Sequence, residues 1–378
     1  MKNHLALLGG LTVKEFLRDH WQKKPLLIRQ AFPKFKGLID TRQLLALART
    51  EDVQARLVTQ TRGRFELRQS PFEPGELDRP KNSRWTVLVQ GVNHYVPEAA
   101  ELLKRFSFIP HARLDDLMVS YATRGGGVGP HFDSYDVFLL QGSGHRRWQI
   151  SAQADRRLIA GAPLRILRDF RVEQEWVLEA GDMLYLPPHY AHNGIAEDEC
   201  TTYSIGFRTP AYQELAEQFL VYLQDRITVD GMYADPDLKT QKHPSEISAA
   251  MLRQTQRAIR RIRWDKEDVA NFLGCYLSEP KPHIFFEAPQ RPLNPAKFRQ
   301  ALQKHGVKLD LKSQMLCHAG RIFINGEDHR PDERDYPLLR ELADRRALPA
   351  LAGGSAGVSA ELAGLLYQWY LGGYISVD

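Results

Sequence analysis

The alternation of apolar and polar residues divides the chain into a β-rich part and a helical part. Leu117, Val119 and Tyr121 alternate with Met118 and Ser120, as expected for a strand with one buried face. Further strands are predicted at 137–140, 146–150, 183–186 and 201–208. A glycine turn at 142–144 separates the first two, which predicts that they form a hairpin. Many short strands joined by glycine turns indicate a jelly-roll type of double-sheet β architecture.

The spacing of apolar residues changes after Pro210, where Leu215, Phe219 and Leu223 recur at helical spacing. A second helix is predicted to start at 244–246, and a proline-rich stretch at 280–295 indicates a boundary. The remainder pairs a strand-turn-strand signal at 321–326 with two helices, which suggests a winged-helix-like module. The predicted organisation is a β domain at 1–210, a helical region at 211–278 and a winged-helix-like domain at 279–378.

Composition narrows the class of protein. Hydrophobic residues make up 43% of the 378 residues and charged residues 26%, which excludes a largely disordered chain. Three scattered cysteines give no disulfide framework, and no apolar run approaches the ~20 residues of a membrane span. A cytoplasmic protein without membrane contact is expected. The net charge of +5 leaves direct nucleic-acid contact open.

The sequence Gly129-Pro130-His131-Phe132-Asp133 carries the first chemical signal. Residues two apart on a strand point to the same face, so His131 and Asp133 can reach one metal ion. With a distant histidine they would complete the facial triad of non-haem Fe(II) oxygenases. Alone, a His-x-Asp pattern is weak, because it occurs by chance on many surfaces.

The distal histidine is expected in the segment from Gly181 to His192, which resembles the second motif of cupin barrels. In that motif a glycine turn opens a strand, a proline ends it, and a histidine ligand follows. The offset from Gly181 and Pro187 favours His192 as the ligand. His189 occupies a position where the motif usually has glycine, so an exchange of the two roles is the alternative.

A 2-oxo acid bound to such a metal needs a cation for its far carboxylate. Arg146 is predicted for this role, because it shares a strand face with Trp148, whereas Arg147 takes the other face. A planar guanidinium binds a carboxylate through two hydrogen bonds. The alternative is that both arginines face solvent.

The segments 115–148, PPHYAH at 187–192 and TYSIGFR at 202–208, with the opening HWQKKPLLI at 20–28, resemble the JmjC oxygenases, in particular their bacterial ribosomal-oxygenase branch. The resemblance implies a double-stranded β-helix catalytic domain, a helical dimerisation region and a C-terminal winged helix. It implies Fe(II), with 2-oxoglutarate and dioxygen as cosubstrates. His131, Asp133 and His192 fall on the metal ligands, and Arg146 falls on the residue that binds 2-oxoglutarate.

The same resemblance implies hydroxylation at C3 of an arginine in a large-subunit ribosomal protein. Related eukaryotic members modify ribosomal histidines, so a histidine target is an alternative. Substrate contacts are expected at or near Asp116, Tyr135 and Ser204, although each residue also has a purely structural explanation. Thr202 stands where related enzymes often place an asparagine, and no role is predicted for it.

Two readings outside this class are kept. A cupin-like barrel without chemistry could use the winged helix to bind nucleic acid or the ribosome. An isomerase or dioxygenase of the wider cupin class would need the metal but neither 2-oxoglutarate nor Arg146. The presence of all four site residues argues against the binding module.

Overall fold

The computed structural model describes residues 5–80, 82–350 and 358–377. By its backbone packing the chain divides into two compact units. One contains the described residues within Met1–Thr209, Pro280–Ser313 and Arg345–Asp378, and the other consists of Pro210–Glu279 and Gln314–Asp344. The units alternate along the sequence. The linear division at 1–210, 211–278 and 279–378 stays a prediction.

Strands and helices are numbered in chain order. The strands are β1 (Leu26–Ile28), β2 (Ala55–Thr61), β3 (Arg64–Gln69), β4 (Arg84–Val89), β5 (Leu114–Ala122), β6 (His131–Phe132), β7 (Val137–Ser143), β8 (Arg146–Ser151), β9 (Gln174–Leu178), β10 (Met183–Leu186), β11 (Ala191–Ala196), β12 (Cys200–Phe207), β13 (Val307–Leu309), β14 (Met315–His318), β15 (Arg321–Ile324), β16 (Glu327–His329), β17 (Ala347–Leu348) and β18 (Ile375–Ser376). The α-helices are α1 (Val13–Asp19), α2 (Thr41–Ala48), α3 (Pro97–Lys104), α4 (Tyr212–Gln224), α5 (Ala249–Ile259), α6 (Lys266–Ser278), α7 (Pro295–His305), α8 (Tyr336–Arg345) and α9 (Ala360–Leu371).

Two antiparallel sheets form the body of the first unit. The larger has the strand order β1-β10-β7-β12-β5-β4-β2-β3, and the smaller has the order β6-β11-β8-β9. Most neighbours in these sheets are not consecutive in sequence, because the chain passes back and forth between the sheets. This is the connectivity of a jelly roll, and the predicted double-stranded β-helix is confirmed.

The predicted hairpin between β7 and β8 is wrong. β7 pairs with β10 and β12, whereas β8 pairs with β9 and β11 in the other sheet. The turn at Gly144, with φ of +60°, therefore carries the chain from one sheet to the other. The backbone N–H of His145 donates to Asp198 at 2.6 Å, which fixes this crossover. Local pattern cannot identify partners that lie tens of residues away.

The alternation predicted for β5 is confirmed, and it separates core from cavity. Leu117, Val119 and Tyr121 are buried in an apolar core that also contains Phe138 and Tyr185. The rings of Phe138 and Tyr185 pack with centroids 4.9 Å apart. The alternate residues of β5 face the opposite way, and three of these line the cavity described below: Asp116, Met118 and Ser120.

The second unit packs α4 and α6 with the small sheet β14-β15-β16. Phe272 of α6 lies 5.3 Å from Phe219 of α4, measured between ring centroids. The predicted start of the second helix at 244–246 is displaced, because α5 begins at Ala249 and is capped by the Ser248 hydroxyl. None of the helices in the described ranges has the length and apolar character that a membrane crossing requires.

Candidate active site

Two histidines face each other across paired strands. β6 pairs with β11, and His131 and His192 are direct cross-strand partners with ring centroids 4.2 Å apart. Asp133 follows β6, and its Oδ2 lies 3.7 Å from Nε2 of His192. One ligand atom from each of the three residues lies within 4.8 Å of the others. Two imidazoles and one carboxylate at this spacing fit a divalent metal such as Fe(II).

Backbone carbonyls set the tautomer of both rings. Nδ1 of His131 donates to the carbonyl of Gly129 at 2.9 Å, and Nδ1 of His192 donates to the carbonyl of Tyr190 at 3.0 Å. Because a carbonyl only accepts, Nδ1 bears the proton and Nε2 keeps its lone pair. Burial and the neighbouring His131 also lower the pKa of His192, which favours the neutral form that a metal ligand needs.

Glycine is required just before the first ligand. Gly129 has a φ of +80°, and a Cβ there would lie 3.2 Å from the ring of Phe65. Its carbonyl is the acceptor for His131. The turn thus positions the first metal ligand, and a side chain would strain it.

Arg146 is buried, with 3% of its surface exposed, and lacks a carboxylate partner among the described residues. Its guanidinium donates to Ser120 Oγ at 3.3 Å, Thr202 Oγ1 at 3.4 Å and the carbonyl of Gly194 at 3.2 Å. Its Nε has no partner in the part of the chain that the structure describes, and burial lowers the pKa of the group. A buried cation held only by neutral acceptors is costly, so the site fits a carboxylate ligand.

Gly194 makes room for this arginine. A Cβ at Gly194 would lie 2.7 Å from the Trp148 ring and 2.8 Å from Nε of Arg146. The guanidinium lies over the Trp148 ring at 5.1 Å, and the indole N–H of Trp148 also lacks a partner within residues 5–80, 82–350 and 358–377. Arg146 and Trp148, each with one buried donor that lacks an acceptor among the described residues, both line the cavity described next.

All seven residues predicted for the site line one cavity of about 530 Å³. Pockets for drug-sized ligands have volumes of ~300–1,000 Å³, so this cavity can hold a small dicarboxylate together with a protein side chain. The structure thus brings together the residues that sequence placed far apart: His131, Asp133, His192, Arg146, Asp116, Tyr135 and Ser204.

Asp116 and its neighbour Asp115 differ in environment. Asp115 pairs with Lys281 at 2.9 Å and with Arg208 at 3.4 Å. Asp116 is 4% exposed and accepts the backbone N–H of Gly91 at 2.9 Å. Burial raises the pKa of Asp116, and the positive charge of Lys281 opposes that shift. A guanidinium entering the cavity would stabilise its ionised form.

Tyr135 and Ser204 supply the other polar groups expected at the substrate end. Tyr135 lines the cavity, where desolvation of its phenol and the nearby carboxylates of Asp133 and Asp116 raise its pKa. The phenol is therefore neutral at physiological pH and offers a flat ring with one hydroxyl. Ser204 is buried on β12 as the cross-strand partner of Met118.

His189 does not join the metal cluster. Its side chain is exposed, its φ is +68°, and its backbone N–H donates to the carbonyl of Asp133 at 2.7 Å. The residue therefore fixes the loop after Asp133, and the ligand position belongs to His192. Ser120 was not predicted from the sequence, and Thr202 was given no role. The signal that could have identified both is their alternation with core residues along β5 and β12.

Comparisons with known proteins identify the family to which this site and fold belong. A family model for the JmjC domain matches residues 101–215, one for a ROXA-like winged helix matches 261–376, and one for an AraC-like ligand binding domain matches 171–261. The ribosomal protein uL16 3-hydroxylase of Escherichia coli is 32% identical over 348 residues, which are 92% of each chain. This chain belongs to the JmjC-type ribosomal oxygenase family.

Solved structures of a ribosomal oxygenase show the same fold. The X-ray structure of YcfD from E. coli has a TM-score of 0.85 at 31% identity and covers 97% of this chain and 98% of that chain. A second structure of YcfD, in complex with cobalt and 2-oxoglutarate, has a TM-score of 0.81 at 30% identity over 96% and 97% of the two chains.

Proposed function

We propose that this protein is an Fe(II)- and 2-oxoglutarate-dependent hydroxylase of a ribosomal protein, acting on C3 of an arginine side chain. The observation that carries the proposal is the 32% identity to the uL16 3-hydroxylase over nearly the whole chain. The His131, Asp133 and His192 cluster beside a buried, unpaired Arg146 supports it. A ribosomal protein substrate also suits the cytoplasmic location expected from sequence.

Each residue of the cavity has a distinct task in this proposal. His131, Asp133 and His192 would hold Fe(II). Arg146 would bind the far carboxylate of 2-oxoglutarate, replacing its long hydrogen bonds to Ser120 and Thr202 with a short charged pair. When bound, Fe(II) and 2-oxoglutarate would supply the oxidation chemistry: one atom of dioxygen would enter the substrate C–H bond and the other would enter succinate as carbon dioxide leaves, with two electrons from 2-oxoglutarate and two from the C–H bond.

The target side chain is proposed to lie against Asp116, Tyr135 and Ser204. Asp116 offers a buried carboxylate to a guanidinium, Tyr135 offers a flat ring, and Ser204 offers a hydroxyl acceptor. The charge of Asp116 favours arginine over a neutral histidine, because a buried carboxylate is best stabilised by a permanent cation. Orientation by these groups would decide which carbon meets the oxidant.

The decisive experiment is intact-mass analysis of ribosomal proteins after incubation with enzyme, Fe(II) and 2-oxoglutarate. A gain of one oxygen atom on one protein, absent without 2-oxoglutarate, would support the proposal, and fragmentation would name the residue. A modified histidine would correct the target and keep the chemistry. Binding to the ribosome without oxygen gain or succinate would favour the non-catalytic module and refute the proposal.

We also propose that the helical region mediates a homodimer. Large apolar side chains on and beside α4 and α5 are exposed in the second unit, among them Leu220, Leu252, Ile259 and Trp264, which are 56% to 65% exposed. Exposed apolar surface of this kind marks an association site. Light scattering of the purified protein and of Leu252→Glu would test it. A monomeric wild type, or a mutant that stays dimeric, would contradict this assignment.

A further inference from the structure

The large sheet extends the active-site cavity beyond the proposed target pocket, which is formed by Asp116, Tyr135 and Ser204. Five adjacent strands, β3, β2, β4, β5 and β12, each contribute one residue to a row of cross-strand partners: Gln69, Arg56, Leu88, Ser120 and Thr202. Cross-strand partners share a face of the sheet, and all five residues line the cavity. The row therefore begins at the hydroxyls that contact Arg146 and ends at the edge strand β3.

The far part of this row has a mixed polar and apolar lining. We call it the side groove and define it by Arg56, Val58, Leu67, Gln69 and Leu88. Val58 and Leu88 are buried in its floor, Leu67 is half-buried, and Arg56 and Gln69 are exposed. An apolar floor with hydrogen-bond donors beside it suits an extended polypeptide, whose side chains and carbonyls alternate.

The side groove is continuous with the proposed target pocket. Nη2 of Arg56 lies 3.8 Å from the sulfur of Met118, which lines the same cavity. Met118 is the cross-strand partner of Ser204 and lies two residues after Asp116 on β5. Within the described residues the guanidinium of Arg56 contacts this sulfur and has no carboxylate partner. It is therefore free to donate to a bound chain.

From these observations we infer that the side groove binds the residues that flank the hydroxylated side chain, as an extended segment of the ribosomal protein. This inference rests on the proposed function. An aliphatic side chain would lie on Leu67 and Leu88, and backbone carbonyls would accept from Arg56 and Gln69. The side groove spans the three strands β3, β2 and β4, so two strand spacings of ~4.8 Å give it a length of roughly 10 Å, which matches about three extended residues at ~3.3 Å each.

The experiment compares Arg56→Ala with Arg64→Ala. Arg64 is the matched control, because it is an exposed arginine on the same pair of strands and does not line the cavity. The substrates are recombinant uL16 and peptides trimmed from either side of the residue that mass analysis shows to be modified. Turnover of each substrate and substrate-free oxidation of 2-oxoglutarate are measured.

We expect Arg56→Ala to lower kcat/KM for uL16 about tenfold through KM, since a tenfold change equals about 1.4 kcal/mol and one charged hydrogen bond is of that order. The shortest trimmed peptide should not distinguish the mutant from wild type, and Arg64→Ala should match wild type throughout. Leu67→Ala should repeat the loss on uL16. In all three variants substrate-free oxidation of 2-oxoglutarate should be unchanged.

Three results would overturn the side groove. Equal KM values for Arg56→Ala and Arg64→Ala on uL16 would remove it as a binding site. An equal loss on trimmed and long substrates would place Arg56 in the target pocket instead. A loss seen only when uL16 carries ribosomal RNA would assign Arg56 to nucleic acid. If wild type modifies no ribosomal protein, the proposed function fails first, and this inference fails with it.

Discussion

The substitution Arg146→Met tests whether Arg146 binds a ligand or stabilises the fold. A ligand-binding arginine with a buried, unpaired charge predicts that the mutant is more stable than wild type, whereas a structural arginine predicts that it is less stable. The three acceptors of the guanidinium are neutral and lie 3.2–3.4 Å away, at the weak end of the hydrogen-bond range. The three hydrogen bonds contribute ~0.5 kcal/mol each and the contact with the Trp148 ring contributes ~1 kcal/mol, so together they stabilise the folded state by about 2.5 kcal/mol. Burying an unpaired charge costs several kcal/mol. The mutant without cosubstrate should therefore unfold at a higher temperature than wild type.

The same substitution should impair binding of the cosubstrate. A carboxylate bound by a guanidinium gains ~1.5–3 kcal/mol over a neutral contact, so the KM for 2-oxoglutarate should rise roughly 10- to 100-fold. Thermal unfolding is measured in the presence of Mn(II), with and without 2-oxoglutarate. Mn(II) occupies the metal site in place of Fe(II) but does not support turnover. Wild type should gain stability from 2-oxoglutarate, whereas the mutant should gain almost none.

Arg147→Met is the matched control on the same strand. Arg147 points outward and pairs with Glu197 at 2.6 Å and Glu175 at 3.7 Å. Such exposed pairs contribute little to stability, so this mutant should be at most slightly less stable and should bind 2-oxoglutarate normally. If Arg146→Met lowers the unfolding temperature without cosubstrate, or leaves the KM for 2-oxoglutarate unchanged, the reasoning about its unpaired charge is refuted.

Other predictions concern the metal, the substrate and pH. Asp133→Ala should abolish Co(II) binding in calorimetry with little change in unfolding temperature, and retained binding would contradict the metal site. Asp116→Asn should lower turnover of the ribosomal protein ~10- to 100-fold but spare substrate-free oxidation of 2-oxoglutarate, since it removes one charged pair; equal losses would make Asp116 structural. Burial, together with the positive charges of Lys281 and Arg346, lowers the pKa of His94 to about 4. Neutral His94 therefore contributes its full stabilisation above pH 6.5, and this contribution is lost as the pH falls from 6.5 towards 4, because the unfolded chain binds the proton first. His94→Gln should flatten that decline in thermal unfolding, by about 3 kcal/mol at most, and an unchanged slope would exclude His94 as its source.

Period-two patterns predicted β5, β7, β8, β10 and β12, and short motifs selected the three residues of the metal cluster, whereas β11, the strand that carries His192, was not predicted. The alternation on β5 placed Leu117 and Val119 in the core, and the spacing from Gly181 selected His192 over His189. Strand pairing was less predictable. β7 and β8 follow each other across a glycine turn like a hairpin, yet each takes partners from later in the chain. Hydrogen-bond partners in a jelly roll depend on long-range topology, which local sequence does not encode.

The strands β2, β3 and β4 went unpredicted, although they complete the large sheet. β2 and β3 join through Arg62 and Gly63, both with positive φ, which is the turn geometry of a tight hairpin. The Arg62-Gly63 pair lacks the Asn-Gly or Asp-Gly signature that marks such turns in sequence. The position of Arg56 in the cavity depends on this strand pairing, so motif analysis could not identify the residue.

The register between β5 and β12 couples the two halves of the proposed chemistry. Ser120 faces Thr202 beside Arg146, and one step of two residues away Met118 faces Ser204 beside the proposed target pocket. The step of two residues is ~6.6–6.8 Å, so cosubstrate and target positions are held at a fixed spacing by the same hydrogen-bond ladder. A slip of one residue would exchange every cavity residue on β5 with a core residue, so the site depends on this register as much as on its side chains.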